Sequence, residues 1–369
     1  MTTLRAPRVL PTGRRRGPVW PAALLLLPAV LLLGAGAGAT ARWAAKTGLS
    51  AGTALAVGVL LAGLGTTAWA TRRLWRWARG RARWAFVPGA LVAVVMAWSA
   101  AIAVAATVVP PTPELSARPE QHGLAMTEVD LETADGVRLA AWEAPTANGA
   151  AVVVLHGSGT NRASTLAQAR ALAAHGYGLL LLDARGHGGS GGRGMDLGWS
   201  GDRDVRAAVD HLAADPAVDR IAVLGLSMGG EEAIGAAAAD PRISAVVAEG
   251  ATARTAEDRA SWLPGGVLGG LQRGIDRITY GFVDVLTPGS PPIPLRDAVA
   301  AAQGTRFLLV TAGTVPDEAR AAEVLRAAAP DRVTVWEVPG AGHTGGLRTV
   351  PAEWERRVTG FLDAALAPS

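Results

Sequence analysis

The chain has 369 residues, half of them hydrophobic, and its net charge of +4 is unevenly distributed. Residues 1–110 contain thirteen basic and no acidic residues, whereas the remainder contains 22 Arg against 31 Asp and Glu. The basic residues lie between apolar runs rather than on a folded patch, which argues against nucleic-acid binding. The absence of cysteine excludes disulfides, thiolate metal sites and a cysteine nucleophile.

Three apolar stretches dominate the first 110 residues, at 20–41, 48–70 and 85–109. Each has about the 20 residues that a helix needs to cross a hydrocarbon core of about 30 Å, and none contains an acidic residue. We therefore predict a membrane domain of three transmembrane helices over residues 1–110. A cleaved signal peptide accounts only for the first stretch. The run GAGAGA at 34–39 allows close approach between helices.

The distribution of arginine predicts the orientation of these helices. The N-terminal tail carries five Arg and the second loop, residues 72–83, carries six, whereas the first loop has only Arg42 and Lys46. The positive-inside rule places the tail and the second loop in the cytoplasm. Three crossings then place everything after residue 110 outside. We expect a multi-pass protein of the cell membrane with an extracytoplasmic C-terminal domain.

Residues 111–121 are predicted to form a proline-rich linker, an extended spacer that holds the next domain off the bilayer. The domain at 122–369 begins with two strands around an Ala-Asp-Gly turn at 134–136, which predicts an antiparallel hairpin. The apolar runs that follow are typical of strands buried on both faces: 150–155, 178–182, 220–224, 244–248 and 306–310. Alanine-rich helical stretches separate them, so we predict a doubly wound, mostly parallel sheet.

Ligands bind at the carboxyl ends of parallel strands, so the residues that follow each run are the candidate functional ones. The motifs at these ends are HGSG (156–159), DARGHGGS (183–190), GLSMG (225–229), TAG with the acids that follow it (311–318), and GAGH (340–343). In these motifs, and in the order serine, acid, histidine, the chain resembles the α/β-hydrolase superfamily over residues 126–366. The resemblance is to its serine esterases, lipases and aminopeptidases.

The resemblance implies that Ser227 is a nucleophile on a sharp strand-to-helix turn. Gly225 and Gly229 fit such a turn because larger residues would collide with adjacent elements. The helix N-terminus behind the serine favours developing negative charge. The implied oxyanion hole consists of the backbone N–H groups of Met228 and Ser158.

The same resemblance implies that His343 is the base, because it follows the last strand on a glycine-rich loop. His156 and His187 belong to motifs in which a histidine holds a loop by hydrogen bonds. Asp317 is the implied acid, with Glu318 as the alternative. The position that the family often uses, three residues after the glycine that ends the strand, is occupied here by proline.

A cap insertion is predicted at about 252–300, between two strands of the sheet. Its apolar side chains either line an acyl pocket or pack the cap onto the core. The predicted protein is a membrane-anchored serine hydrolase of the carboxylesterase or lipase type, which acts on a small-molecule or lipid acyl substrate without a metal or organic cofactor. An acyltransferase or a serine aminopeptidase would use the same triad, and a membrane interaction protein with an inactive hydrolase domain is the non-enzyme alternative. The substrate and the oligomeric state stay open.

Overall fold

The computed structural model describes residues 18–110, 115–192, 194 and 196–367. The tail arginines used to predict the orientation lie outside the described residues, as do residues 111–114 of the predicted linker. Within the described residues the helices are α1 Trp20–Thr47, α2 Ala51–Trp77, α3 Phe86–Thr107, α4 Leu166–Ala173, α5 Gly201–Ala213, α6 Met228–Ala239, α7 Ala256–Trp262, α8 Gly266–Leu286, α9 Leu295–Ala301, α10 Pro316–Ala328, α11 Gly346–Thr349 and α12 Pro351–Ala365. The strands are β1 Thr127–Glu132, β2 Arg138–Ala144, β3 Ala150–Leu155, β4 Gly178–Leu182, β5 Arg220–Leu226, β6 Ile243–Glu249, β7 Arg306–Ala312 and β8 Val333–Val338.

In the described part of the chain, eight strands form one sheet in the order β1-β2-β4-β3-β5-β6-β7-β8. The strand β2 is antiparallel to both of its neighbours, and the other pairs are parallel. The helices α4 and α12 cover one face of the sheet, and α5, α6, α9 and α10 cover the other. The predicted doubly wound, mostly parallel sheet is therefore confirmed. The apolar runs form strands because both of their faces are buried.

The helices α1 and α2 and the segment Gly80–Thr107, which ends with α3, are long and apolar enough to cross a membrane. They pack closely at glycines of the GAGAGA run. A Cβ atom on Gly38 would lie 2.1 Å from the carbonyl oxygen of Ala101 in α3, and one on Gly36 would lie 2.4 Å from the backbone nitrogen of Leu60 in α2. Alternate glycines of α1 therefore contact different neighbouring helices, backbone against backbone.

The C-terminal end of α3 packs directly on the carboxyl edge of the sheet. Ala106 and Val109 form a buried cluster with Ala184 and Met228, which follow β4 and β5. A Cβ atom on Gly194 would lie 2.0 Å from the carbonyl oxygen of Thr107. Apolar packing therefore brings the C-terminal domain into contact with the end of α3.

The predicted cap region, 252–300, contains two different kinds of structure. The helices α7 and α8 form a hairpin that packs on α3, and an ion pair of 3.0 Å between Arg259 and Asp276 joins them. The helix α9 instead contributes Leu295, Ala298 and Val299 to the main core beside the sheet. The helix α8 is therefore the part that projects from the sheet, whereas α7 packs against α10 and α9 is part of the helical layer.

We expect Gly38→Ala to destabilise the packing of α1 on α3 by about 1–3 kcal/mol, because the new methyl group meets a backbone carbonyl that cannot move aside. Gly58→Ala in α2 is the matched control, since a Cβ atom there meets no atom within 4 Å. Thermal unfolding of the full chain in detergent measures the difference. Equal unfolding midpoints for the two variants would contradict the close packing.

Candidate active site

Ser227 lies between the end of β5 and the start of α6 in a strained backbone conformation, with φ 52° and ψ −118°. A residue with a side chain rarely adopts this region, and each such residue costs about 1–3 kcal/mol. Two hydrogen bonds hold it there: its N–H donates to the carbonyl oxygen of Glu249 at 2.7 Å, and its own carbonyl accepts from the N–H of Gly230 at 2.9 Å. The turn therefore presents the hydroxyl at the carboxyl edge of the sheet.

The positions two residues before and after Ser227 have room for glycine only. A Cβ atom on Gly225 would lie 2.1 Å from the carbonyl oxygen of Gly229, and one on Gly229 would lie 2.7 Å from that of His156. Atoms do not approach so closely, so a larger residue at either position would displace backbone. The motif around Ser227 thus reflects a physical limit on this turn.

His343 follows β8 and lies between a hydroxyl and a carboxylate. Its Nε2 is 2.9 Å from Oγ of Ser227, and its Nδ1 is 2.6 Å from Oε1 of Glu318. In the arrangement that satisfies both contacts, Nδ1–H donates to Glu318 and the serine hydroxyl donates to Nε2. The hydrogen bond to Glu318 raises the pKa of His343 above its ordinary value. The imidazole is about half-exposed, with a side-chain exposure of 49%.

Glu318, and not Asp317, is the carboxylate that contacts His343. Asp317 points away from the site in the first turn of α10 and pairs with Arg320 at 2.9 Å on the surface. Glu318 is buried, and its second oxygen accepts the N–H of Ala312 at 2.8 Å. Successive residues on a helix point about 100° apart, so only one of the two faces inward. Of the two candidates, the alternative, Glu318, is therefore the one whose carboxylate lies against His343, and the first choice, Asp317, is not.

A second buried carboxylate, which the sequence interpretation missed, belongs to Glu249 at the end of β6. It accepts the N–H of Gly346 at 2.7 Å and the indole N–H of Trp354 at 3.0 Å. Burial raises the pKa of Glu249. These bonds fix the chain that follows His343. The signal in the sequence was an acid directly after an apolar run, at a strand end.

Two buried histidines hold the HGSG loop beside Ser227. His156 donates from Nδ1 to the carbonyl of Gly157 at 2.8 Å and accepts the N–H of Ala184 at 3.1 Å. His187 accepts the N–H of Gly159 at 3.2 Å. Burial lowers the pKa of His156 to about 4 and that of His187 to about 3, so both rings are neutral near pH 7. Their contacts agree with the loop-holding role predicted for them.

The two predicted oxyanion residues lie on the elements that flank Ser227. Ser158 lines the cleft next to it, and a Cβ atom on the preceding residue, Gly157, would lie 3.5 Å from Cβ of Ser227. Met228 is the first residue of α6, so its N–H has no carbonyl partner one turn back in the helix. Both residues therefore lie on elements next to Ser227.

A cleft of about 1090 Å³ opens over Ser227 and His343, between the helix α4 and the start of α12. Its walls include Gln168, Arg170 and Arg348. Among the described residues, none from α7 or α8 lines it, so the apolar side chains of the predicted cap do not form this cleft. The described residues also contain no group of three His, Asp or Glu that could hold a metal ion.

Comparisons with known proteins give both sequence and structural likenesses. A family model described as "Serine aminopeptidase, S33" matches residues 146–288. The uncharacterized protein Rv2307c of Mycobacterium tuberculosis is 36% identical over 144 residues, which make up 37% of this chain and 50% of that protein. The chain thus spans about half the length of the curated relatives it matches.

Solved structures show the fold. The Pyrococcus furiosus esterase Pf2001 aligns with a TM-score of 0.55 and 25% identity over 70% of this chain and 98% of its own. The α/β hydrolase GrgF from Penicillium sp. sh18 aligns with a TM-score of 0.51 and 21% identity over 66% of this chain and 100% of its own. The C-terminal part of the chain therefore has the predicted α/β-hydrolase fold, and the family match supports a hydrolase.

We expect Glu249→Gln to lower the free energy of unfolding by about 1–3 kcal/mol, because the amide nitrogen would oppose one of two buried donors and leave it unpaired. Glu337→Gln, on the exposed side of β8, is the control and should change stability by less than about 0.5 kcal/mol. Urea unfolding of the full chain in detergent compares the two. Matching stabilities would mean that the carboxylate does not hold the His343 loop.

Proposed function

We propose that the protein is a membrane-anchored serine hydrolase that cleaves acyl esters through Ser227, His343 and Glu318. The observation that carries this proposal is the continuous hydrogen-bonded chain from the hydroxyl through the imidazole to a buried carboxylate. A serine hydroxyl is a weak nucleophile without a base to accept its proton, and this geometry supplies the base and a group that orients it.

In the proposed acylation step, Nε2 of His343 takes the proton of Ser227 as Oγ forms a bond to the acyl carbon. The carbonyl oxygen of the substrate gains the negative charge of a tetrahedral intermediate. The N–H groups of Met228 and Ser158 would hold this oxyanion, with support from the N-terminal end of α6. When the intermediate collapses, the bond to the alcohol breaks and His343 returns the proton to the departing oxygen.

In the proposed deacylation step, water attacks the acyl-enzyme and His343 accepts one of its protons. The half-exposed imidazole supports hydrolysis, because solvent reaches the base from the cleft. The acid is then released, and the proton returns to Oγ of Ser227. The carboxylate of Glu318 stabilises the imidazolium in both steps while staying ionised itself.

The walls of the cleft favour an ester over a peptide with a free N-terminus. Recognition of an N-terminal amine requires an available carboxylate near the nucleophile. Among the described residues that line the cleft, Glu355 is the acidic one. Its carboxylate already bonds to the imidazole of His175 at 3.0 Å. Arg170 and Arg348 line the same cleft with positive charge. The similarity to an esterase supports the same choice.

The membrane part of the proposal rests on three apolar segments in the described residues. Six arginines lie within residues 72–83, three at the end of α2 and three in the loop before α3, and they favour a cytoplasmic position for that loop. The C-terminal ends of α1 and α3 then lie at the outer surface, together with the hydrolase domain. The protein would act on substrates at the outer face of the cell membrane.

The nucleophile is tested by labelling the full chain with a fluorophosphonate, which forms a covalent bond with an activated serine. We expect Ser227→Ala to abolish labelling and to lower kcat for a p-nitrophenyl ester by at least about 10³-fold. Ser164→Ala, a substitution of another serine on the cleft wall, serves as the control and should label normally. Labelling that survives in Ser227→Ala, or that is missing from the folded wild type, would refute the proposal.

The acid is tested by comparing Glu318→Gln with Asp317→Asn. We expect the first to reduce the hydrolysis rate by about 10³–10⁴-fold and the second to change it by less than about twofold. Because the base must be neutral, kcat/KM should rise with pH through the pKa of His343, which the bond to Glu318 raises above its ordinary value. Glu318→Gln should shift that midpoint to lower pH. A larger loss in Asp317→Asn would reverse the assignment.

A further inference from the structure

The helix α8 presents an apolar stripe on its outer side, and its inner side combines polar groups with the buried side chain of Val283. Its buried side carries Asp276 and Thr279. Its exposed apolar side chains recur on the opposite side, along a single stripe: Val267, Leu271, Ile278 and Val285. Val267 is 88% and Val285 is 82% exposed. A helix on the surface of a water-soluble domain has the reverse arrangement, with its apolar stripe toward the core.

The inward polar groups of the α7–α8 hairpin bond to one another. Arg259 and Gln272 each donate to one oxygen of Asp276, at 3.0 and 2.9 Å. Arg273 donates to the carbonyl oxygen of Pro264 at 3.1 Å. The tip of the hairpin, residues 263–271, reads LPGGVLGGL and contains no charged residue. Such internal pairing suits a segment whose surroundings offer no water.

The helix α8 also packs along α3, one of the segments long enough to span a membrane. The hydroxyls of Thr279 and Ser99 are 2.9 Å apart, and Val283 belongs to the same buried cluster as Ala103, one turn further on both helices. The two helices therefore run in the same direction. Ser99 lies eight residues before the end of α3, or about 12 Å along its axis.

We propose that the α7–α8 hairpin enters the same lipid bilayer as α1–α3, with the tip at 263–271 in the hydrocarbon. If the end of α3 marks the outer surface, Thr279 already lies below that surface, and the tip lies deeper. The lipid chains would then cover the outward stripe of α8, continuous with the exposed apolar side chains of α3. This inference rests on the membrane anchoring proposed above and is independent of catalysis.

The test uses single-cysteine variants of the full chain, because the wild type has no cysteine. Leu268→Cys and Val267→Cys report on the tip, Leu91→Cys reports on an exposed position of α3, and Ala301→Cys reports on an exposed position of α9. Each variant carries a bimane label and is reconstituted into phosphatidylcholine vesicles. Lipids with a spin label on the acyl chain and aqueous iodide are the two quenchers.

We expect the labels at both tip positions to be quenched by the spin-labelled lipid to within about twofold of Leu91→Cys and to be protected from iodide. Ala301→Cys should show the opposite pattern. Tip labels that respond to iodide as Ala301→Cys does would overturn the inference while leaving the anchor intact. If Leu91→Cys also escapes the lipid quencher, the proposed anchoring fails and the inference with it. Fluorescence requires no turnover, so an inactive enzyme would not produce either failure.

Discussion

The strained backbone of Ser227 persists because Glu249 holds it from the neighbouring strand. The carbonyl of Glu249 accepts the N–H of Ser227, while its carboxylate accepts the N–H of Gly346 on the chain that follows His343. One residue at the end of β6 thus joins the turn at Ser227 to the loop that carries His343. An unfavourable backbone conformation survives only where its surroundings over-determine it. The distance between hydroxyl and imidazole depends on this link, because the two groups come from segments 116 residues apart.

The electrostatic environment differs between the two sides of Ser227. It is negative behind His343, and it is partly positive at the N-terminal end of α6. Behind His343 lies the carboxylate of Glu318, with that of Glu249 nearby, and this negative environment favours an imidazolium. On the other side, the loop with Ser158 is held by buried histidines that stay neutral, and α6 directs its N-terminus toward the serine. A reaction that moves a proton to the imidazole and negative charge to an acyl oxygen would be stabilised on both sides.

The sequence predicted the sheet, and it placed the candidate residues at the ends of its strands, because both depend on local signals. Apolar runs of strand length mark the buried strands, and the glycines around Ser227 mark a turn that tolerates no larger residue. The choice between Asp317 and Glu318 does not depend on such a signal. Both acids lie in the first turn of α10, and which of them faces inward depends on how α10 packs against the sheet.

The faces of α8 show a second limit on what the sequence can predict. Its 3.6-residue periodicity identifies an amphipathic helix, but periodicity does not say which face is packed inside. The contact between Thr279 and Ser99 settles the orientation, and only tertiary structure contains it. The composition of residues 111–121 likewise carries no signal for the apolar packing that places the end of α3 against the domain.

The contact between α3 and the sheet makes α3, a helix of the proposed anchor, part of the scaffold of the candidate site. Met228, whose N–H is a proposed oxyanion donor, packs its side chain against Ala106 and Val109 at the end of α3. Trp199 and Val283 are buried in a second cluster with Ala103. A fragment without α3 would expose both clusters, the first of which adjoins the turn at Ser227. The first residue of α6 would then lose the packing that fixes it, so α3 contributes to the position of the proposed oxyanion donor as well as to the proposed anchoring.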